Sequence, residues 1–330
     1  MTDNIIVRPA HESDKTKILD LLNNVFYGQQ RFDFLRDDAF WQWKYDSNVF
    51  GDTQILIAEA GEKIAASTVL WPWQFICRGQ VIQAYQACDS VVHPEYRGQG
   101  IYSKINKSRI NLAIDHNASF LYTFPNNNSL KGNLNVGWDY LAKLTWLVRP
   151  LRPFRILKNF SRSNKAVSES PNDEHKIKCA ECHQIACSEI PYDGLLRTNY
   201  VNGYFQWRYD NHPVFNYGMV TVNVGNCESA AIFMINSMGN QKEMVVVEVM
   251  GSYRCTVDLF RELIKTARQY DVDYITSTFT PSFRMNDLWR LGFLKLKNKH
   301  MVVMPIDISL EEKVKNYSSW FITGGIHDAL

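Results

Sequence analysis

The 330-residue chain is expected to be a tandem pair of α/β domains, each an α+β mixed sheet flanked by helices. Three observations carry that expectation. The length suits two domains of roughly 150 residues each. The segment AFWQWKYD at 39–46 returns as GYFQWRYD at 203–210, and self-similarity at so long an interval marks a duplicated domain rather than a solenoid. A strand, Phe124-Pro125 and a helix closing on Gly137-Trp138 are echoed by a strand, Thr280-Pro281 and a helix closing on Gly292-Phe293.

In the first copy, residues 5–8 alternate like a strand, and Ser13 or Asp14 can cap a helix whose Ile18, Leu21, Leu22 and Phe26 form one apolar face. Residues 53–60 and 64–73 read as antiparallel strands joined through Gly61, and 81–92 as a third, longer strand. Val91 to Tyr102, VVHPEYRGQGIY, leaves that strand, turns through two glycines and enters a helix over 103–116. A strand over 120–124, a helix near 129–136 and a last strand near 141–148 complete the copy. Ser161 to Lys178 is polar and nearly devoid of large apolar residues, so the expected layout is a domain at 1–150, a linker at 151–178 and a second domain at 179–330.

Composition narrows the function. With 45% apolar and 21% charged residues the chain can bury a real core. Its 36 Lys plus Arg against 34 Asp plus Glu leave a net charge of +2, too little field to hold a polyanion, so no nucleic-acid partner is expected. No run approaches 18 apolar residues and MTDNIIVRPA has neither a basic nor an apolar leader region, which points to a cytoplasmic protein with no membrane partner. The seven Cys, an odd count, are expected to be reduced thiols. CAECHQIAC places Cys179, Cys182, His183 and Cys187 together, and Cys-x-x-Cys is a zinc spacing. No second pair follows, and His183 beside Cys182 is awkward for one tetrahedral ion, so no metal is expected.

A strand that runs through glycines into a helix N-terminus can bind a pyrophosphate: unpaired N–H groups converge there, the helix dipole favours an anion, and glycine permits close approach. An ordinary strand-to-helix turn shares that local signature. The order β-α-β-β-β-α-β-α-β around Arg97-Gly98-Gln99-Gly100-Ile101-Tyr102, however, resembles motif A (Arg/Gln-x-x-Gly-x-Gly/Ala) of the GNAT superfamily of acyl-CoA-dependent N-acyltransferases. Asn126, Ser129, Asn133 and Gly137-Trp138 continue the resemblance, which covers about residues 4–150. It implies a GNAT-like fold in each copy, with two adjacent parallel strands splayed apart to take the acyl thioester. It implies acyl-CoA as co-substrate, with the amides of Gly98, Gln99, Gly100, Ile101 and Tyr102 on the pyrophosphate beside Arg97. The backbone of Ser90, Val91 and Val92 would pair with the pantetheine arm, and Asn126 with Ser129 would lie on the CoA side of the cleft.

Tyr102 replaces the family's usual small residue, and Asn133 stands where many members have the Tyr that protonates the leaving thiolate. A thiolate can leave unaided or take a proton from water, so the chemistry survives that change. The attacking amine must lose a proton, and Asp89 is the expected base, with His93 as a competitor that reads better as a turn residue. Gln86 occupies a position where some members place a Glu base, which glutamine cannot replace. Matching Pro281 to Pro125 sets Tyr253 against Arg97 and Thr256 against Gly100. The second copy is therefore expected to keep the fold, lack the phosphate cradle and help to shape the acceptor pocket.

FWQWKY-like segments with PNNNS…GW look similar to enzymes of surface-polysaccharide pathways (O-antigen or capsule) that N-acylate a nucleotide-linked amino sugar, such as a dTDP-amino-dideoxyhexose. That resemblance implies such a sugar as partner. Trp71, Tyr122, Phe124, Asn127, Asn128, Asn133 and Trp138 are the expected contacts, because a planar base and a sugar need aromatic faces and amide donors. The alternatives are a Fem-type aminoacyl transferase and a non-catalytic GNAT-fold binding protein. The C-terminal WFITGGIHDAL reads as a surface tail.

Overall fold

A computed structural model describes residues 5–28, 34–159, 166–188, 193–280, 283 and 285–328; Pro281, and residues 161–165 of the polar stretch, lie outside the described residues. The chain divides into two compact units. Residues 1–75, 81–143 and 299–317 form the first; 76–80, 144–298 and 318–330 form the second.

The first unit opens with β1 (Ile5–Pro9) and α1 (Lys15–Phe26), whose buried Ile18, Leu19, Leu21 and Leu22 give it the expected apolar stripe. A short α2 (Asp38–Trp41), capped by the Asp37 carboxylate on the Phe40 N–H, runs into a π-turn at Gln42–Asp46. Then come β2 (Gln54–Ala60), β3 (Lys63–Cys77), β4 (Gln80–Val92), α3 (Ile101–Asp115), β5 (Phe120–Thr123) and α4 (Asn127–Leu134). Each lies within a few residues of its expected place. β1 pairs antiparallel with β2, and β2 with β3, while β4 and β5 pair in parallel from Ala84↔Phe120 to Gln86↔Tyr122. Ile101 and Ile105 of α3 pack on Leu56, Ala58, Ala65 and Ala66, which fixes the helix start against the sheet.

β6 (Asp139–Pro150) begins in the first unit and continues into the second, followed by α5 (Pro153–Asn159), β7 (Ala166–Glu169), α6 (Cys179–Ser188), β8 (Arg197–Thr198), β9 (Tyr217–Val224), β10 (Cys227–Met238) and β11 (Gln241–Gly251). α7 (Thr256–Gln269), β12 (Tyr274–Phe279), α8 (Met285–Arg290), β13 (Leu294–Pro305) and α9 (Glu311–Lys315) complete the chain. The second unit repeats the plan of the first: β9, β10 and β11 are antiparallel neighbours, and β11 and β12 are parallel from Glu243↔Tyr274 to Val246↔Ser277. Its core gathers Phe233, Val246, Leu259, Phe260, Leu263, Ile275 and Phe279 between sheet and α7.

The units do not follow the expected split into 1–150 and 179–330. In the first, β5 takes its outer neighbour from β13, with Thr123↔Val302 and Phe120↔Pro305. In the second, β12 takes its neighbour from β6, with Phe279↔Thr145 and Tyr274↔Pro150. Each short central strand needs hydrogen-bond partners on both edges, and each finds the outer one in the opposite half of the sequence. The stretch 151–178 also carries α5 and β7, the latter paired with β10, so it is more than a linker. The C-terminal segment is no surface tail either: Trp320, Ile322, Thr323, Gly324, Gly325 and Ile326 are buried within the second unit.

The sequence repeat is a structural one. Gln42–Asp46 and Gln206–Asp210 form the same wide turn, closed by Ser47 N–H to Gln42 C=O and Asn211 N–H to Gln206 C=O, each 2.8 Å. Each turn buries a tryptophan (Trp43, Trp207), a cation (Lys44, Arg208) and a tyrosine (Tyr45, Tyr209).

Candidate active site

The ladder between the two parallel strands of the first unit is short, because β5 ends at Thr123 while β4 runs on to Val92. Pairing of β4 with β5 ends at Gln86↔Tyr122. One residue on, the Ala87 carbonyl accepts from the Thr123 hydroxyl at 2.6 Å, and Asp89 takes φ +44°, a left-handed conformation that kinks β4. Beyond the kink, Ser90, Val91 and Val92 line a cavity of about 510 Å³ together with Arg97, Tyr102, Asn126, Asn128 and Ser129. Seven of the residues expected on the cofactor thus share one cavity wall: Ser90, Val91, Val92, Arg97, Tyr102, Asn126 and Ser129. Val25 and Phe26, from the end of α1, also line it; the sequence marked Phe26 only as part of an apolar helix face.

The loop at the cavity has the form an anion needs. A 3-10 turn at Pro94–Tyr96, with the His93 side chain accepting from the Glu95 N–H, is followed by Arg97–Gly100 and then α3. His93 is therefore the turn residue the sequence favoured. Gly98 and Gly100 sit at φ +78° and +74°, where an L side chain is strained. Gly100 is the N-cap of α3, and no side chain caps the first-turn N–H groups, whereas α4 is capped by Asn126 accepting from Asn128 and Ser129 N–H. That cap occupies the Asn126 side-chain carbonyl. Ile101 is buried in the core, so it can offer only its backbone; Gly98, Gln99 and Gly100 are exposed. In the second unit the 3-10 turn Tyr253–Cys255 runs straight into α7 at Thr256, so the four residues Arg97–Gly100 have no counterpart.

The Tyr102 ring lies against α4 at Gly132. A Cβ at Gly132 would stand 2.8 Å from Tyr102 Cδ1, so the large residue at 102 fits because 132 is glycine. The Tyr102 hydroxyl donates to Asn133 Oδ1 at 3.3 Å, and burial raises its pKa. Asn133 is itself buried, bound to Asn106 Nδ2 at 2.9 Å.

Asp89 occupies surroundings opposite to those of a base. It is buried, its carboxylate paired with Lys44 Nζ at 2.6 Å and accepting from the Tyr45 hydroxyl at 2.8 Å. Burial pushes its pKa up, but the Lys44 ammonium and Arg36 guanidinium, with the bonds from Lys44 and Tyr45, outweigh this and hold it below the ordinary value. A general base works best with a pKa near the operating pH; this carboxylate instead fastens the Gln42–Asp46 turn to the kink in β4. Asp89→Asn is expected to lose about 3 kcal/mol or more of stability by breaking a buried ion pair, read as a lower urea midpoint at pH 7. Because the folded pKa is depressed, the pair's contribution is full above the unfolded value near pH 3.9 and is lost as pH falls through the folded one. The gap between variant and parent should therefore close in strong acid.

Of the expected acceptor contacts, Trp71, Tyr122, Asn133 and Trp138 are buried side chains, not open faces. Trp71 donates its indole N–H to the Lys44 carbonyl at 2.8 Å, Tyr122 packs on Phe75 and Phe124, and Trp138 belongs to a core cluster with Leu70, Tyr85 and Leu121. Aromatic content drew attention to them, and core packing is what uses it. Asn127 and Asn128 are exposed, and Asn127 Oδ1 lies 3.2 Å from His300 Nε2. In α6, the Cys182 thiol is buried against Met219 Sδ at 3.8 Å, while Cys187 Sγ lies 3.9 Å from His183 Nε2.

Residues 6–140 match the family model described as an acetyltransferase (GNAT) domain. No curated protein sequence matches the chain. Among solved structures, a GCN5-related N-acetyltransferase from Kribbella flavida aligns with 93% of this chain and 72% of its own at TM-score 0.55 and 14% identity. One from Anabaena variabilis aligns with 91% of this chain and 72% of its own, at TM-score 0.63 and 11% identity. Saccharomyces cerevisiae N-myristoyltransferase, with bound myristoyl-CoA, covers 91% of this chain and 82% of its own at TM-score 0.59 and 9% identity. At such identities the likeness is one of fold.

Proposed function

We propose that the chain is an acyl-CoA-dependent N-acyltransferase, in keeping with the match of residues 6–140 to a GNAT acetyltransferase domain, and that its acyl-CoA sits in the cavity between β4, α3 and α4 of the first unit. One observation carries this reading: Arg97–Gly100, four residues between the 3-10 turn and α3 that begin at the cavity with Arg97, are missing at the matching place in the second unit. The pyrophosphate would take the uncapped N–H groups of α3 beside Arg97. The pantetheine would follow Ser90–Val92, where β4 has lost its β5 partner, and bring the thioester to the splay. A neutral primary amine would then attack the thioester carbonyl directly, without a covalent enzyme intermediate. With Asp89 ion-paired, the amine's proton would leave through water.

For the acceptor we propose a nucleotide-linked amino sugar of surface-polysaccharide synthesis, on the resemblance of the FWQWKY and PNNNS…GW segments, with Phe124, Asn127 and Asn128 as its contacts. Calorimetric titration with CoA, then with dTDP in the same cell, tests both layers. One CoA per chain at micromolar affinity, with dTDP binding alongside, is expected. No CoA binding would sink the cavity assignment; CoA without dTDP would sink the choice of acceptor alone.

A further inference from the structure

Behind the cavity wall lies a positive charge with no carboxylate beside it among the described residues. Arg109 sits in the buried stripe of α3, in step with Ile101, Ile105 and Ala113, at a position where an apolar side chain would be expected. It is 2% exposed. Its Nη1 donates to Thr68 Oγ1 at 2.8 Å and Ser90 Oγ at 2.9 Å, and its Nη2 to Asn106 Oδ1 at 2.6 Å and, more weakly, Asn133 Oδ1 at 3.4 Å. Its Nε is buried with no hydrogen bond, and the Trp138 ring lies 5.4 Å away. All these partners are neutral. The neighbouring carboxylate in sequence, Asp89, is committed to Lys44. A buried cation without a counter-ion is costly, and burial accordingly lowers the Arg109 pKa, opposed by Tyr102 and Cys88.

The hydroxyl protons show where this charge acts. Thr68 and Ser90 hydroxyls are 2.7 Å apart, and each already accepts from Arg109. Thr68 is buried and has no other acceptor among the described residues, so its proton goes to Ser90. Both lone pairs of Ser90 are then filled, and its own proton is left with the Cys88 carbonyl, a long 3.4 Å away, or with an acceptor in the cavity that Ser90 lines. Arg109 thereby makes Ser90 an obligate, polarised donor at the cavity wall.

We propose that Arg109 is the fixed counter-charge of this cleft, acting through the Ser90 hydroxyl to stabilise the sulfur anion released when the thioester breaks. The inference rests on the acyl-CoA reading given above. In the step, the amine nitrogen bonds to the thioester carbonyl carbon, the carbon–sulfur bond breaks with its electron pair on sulfur, and the surplus nitrogen proton passes to water. The products are an amide and the CoA thiolate. Arg109 does not touch the reacting atoms; it is a positioning residue.

The test is the pKa of the thiol of CoA bound to the full chain, followed by the near-ultraviolet absorbance of the thiolate against desulfo-CoA as blank. In the parent it should lie about one pH unit below that of free CoA, a roughly tenfold preference for the anion. Arg109→Met and Ser90→Ala should each return it to the free value, and Arg109→Lys should keep part of the shift. Ser90→Ala removes the link to the cavity while leaving the Arg109 charge in place, so it tests the idea even if Arg109→Met fails to fold. Desulfo-CoA, which has no sulfur, should bind the parent and Ser90→Ala equally. CoA bound with an unshifted thiol, or with a shift that survives both variants, would overturn this inference and leave the acyl-CoA site standing. No binding of CoA at all would overturn both.

Discussion

Gly100→Asp should weaken CoA binding by about a hundredfold or more while costing only about 1 kcal/mol of stability. The small stability cost follows from geometry. A Cβ at position 100 meets no atom within 4 Å, so only the left-handed backbone at φ +74° penalises a side chain. The large binding cost has two sources. A carboxylate at the N-cap of α3 competes for the first-turn N–H groups that no side chain now caps, and it sets a negative charge where a pyrophosphate would lie. Gly100→Ala separates these causes, since it carries the same backbone strain without the charge; it should retain most of the affinity. Calorimetry reads the affinity and a thermal melt reads the fold. Gly100→Asp binding CoA as the parent does would remove Arg97–Tyr102 as the pyrophosphate site. The second unit offers no substitute loop, because α7 begins directly after Tyr253–Cys255.

The elements of the first unit were legible because each has a local signature: period-two alternation in β1, an apolar stripe on α1, glycines before α3. The repeated segment was legible for a physical reason that the structure makes plain. Gln42–Asp46 and Gln206–Asp210 are π-turns that bury a Trp, a cation and a Tyr apiece, and few sequences meet that demand. What escaped were features set by distant pairing. Nothing local in residues 145–150 or 302–305 says which half of the chain supplies their partners, β12 and β5. Asp89 suggested a base from its place near the loop, while the Lys44 that neutralises it is 45 residues earlier. That pairing had one trace in the sequence, the retention of a cation as Lys44 and Arg208 in both copies. Arg109 left another: a charge on the apolar stripe of α3. Trp71, Tyr122 and Trp138 looked like ligand surfaces because residue type alone does not separate a core aromatic from an exposed one.

Gly325→Ala is expected to cost about 3 kcal/mol, lowering the melting temperature of the chain by roughly 6–12 °C, although it adds one methyl group to a segment far along the sequence. The reason is a buried carboxylate. Glu248, on β11, accepts hydrogen bonds from Tyr200 at 2.8 Å, Tyr204 at 3.2 Å, Tyr209 at 2.7 Å and Thr323, and it is fully buried. A Cβ at Gly325 would overlap both Glu248 Oε2 and the Tyr209 hydroxyl, so the network must open or the C-terminal segment must lift. Lifting is opposed by Arg208, which donates to the Gly325 and His327 carbonyls at 3.2 and 2.9 Å. Opening the network leaves buried hydroxyls short of their acceptor. Relief should come from the carboxylate side: Glu248→Asp, one methylene shorter, should cost less in the Gly325→Ala background than in the parent, a coupling that a double-mutant cycle measures. The pH dependence gives a second reading. Burial raises the Glu248 pKa, and the hydroxyl bonds oppose it without cancelling it. Its linkage is therefore opposite to that of Asp89: the contribution is most favourable below the unfolded value near pH 4.3 and declines as pH rises through the folded one. Glu248→Gln should flatten that slope. Additive losses in the cycle, with an unchanged slope in Glu248→Gln, would mean that Gly325 is held by something other than this carboxylate.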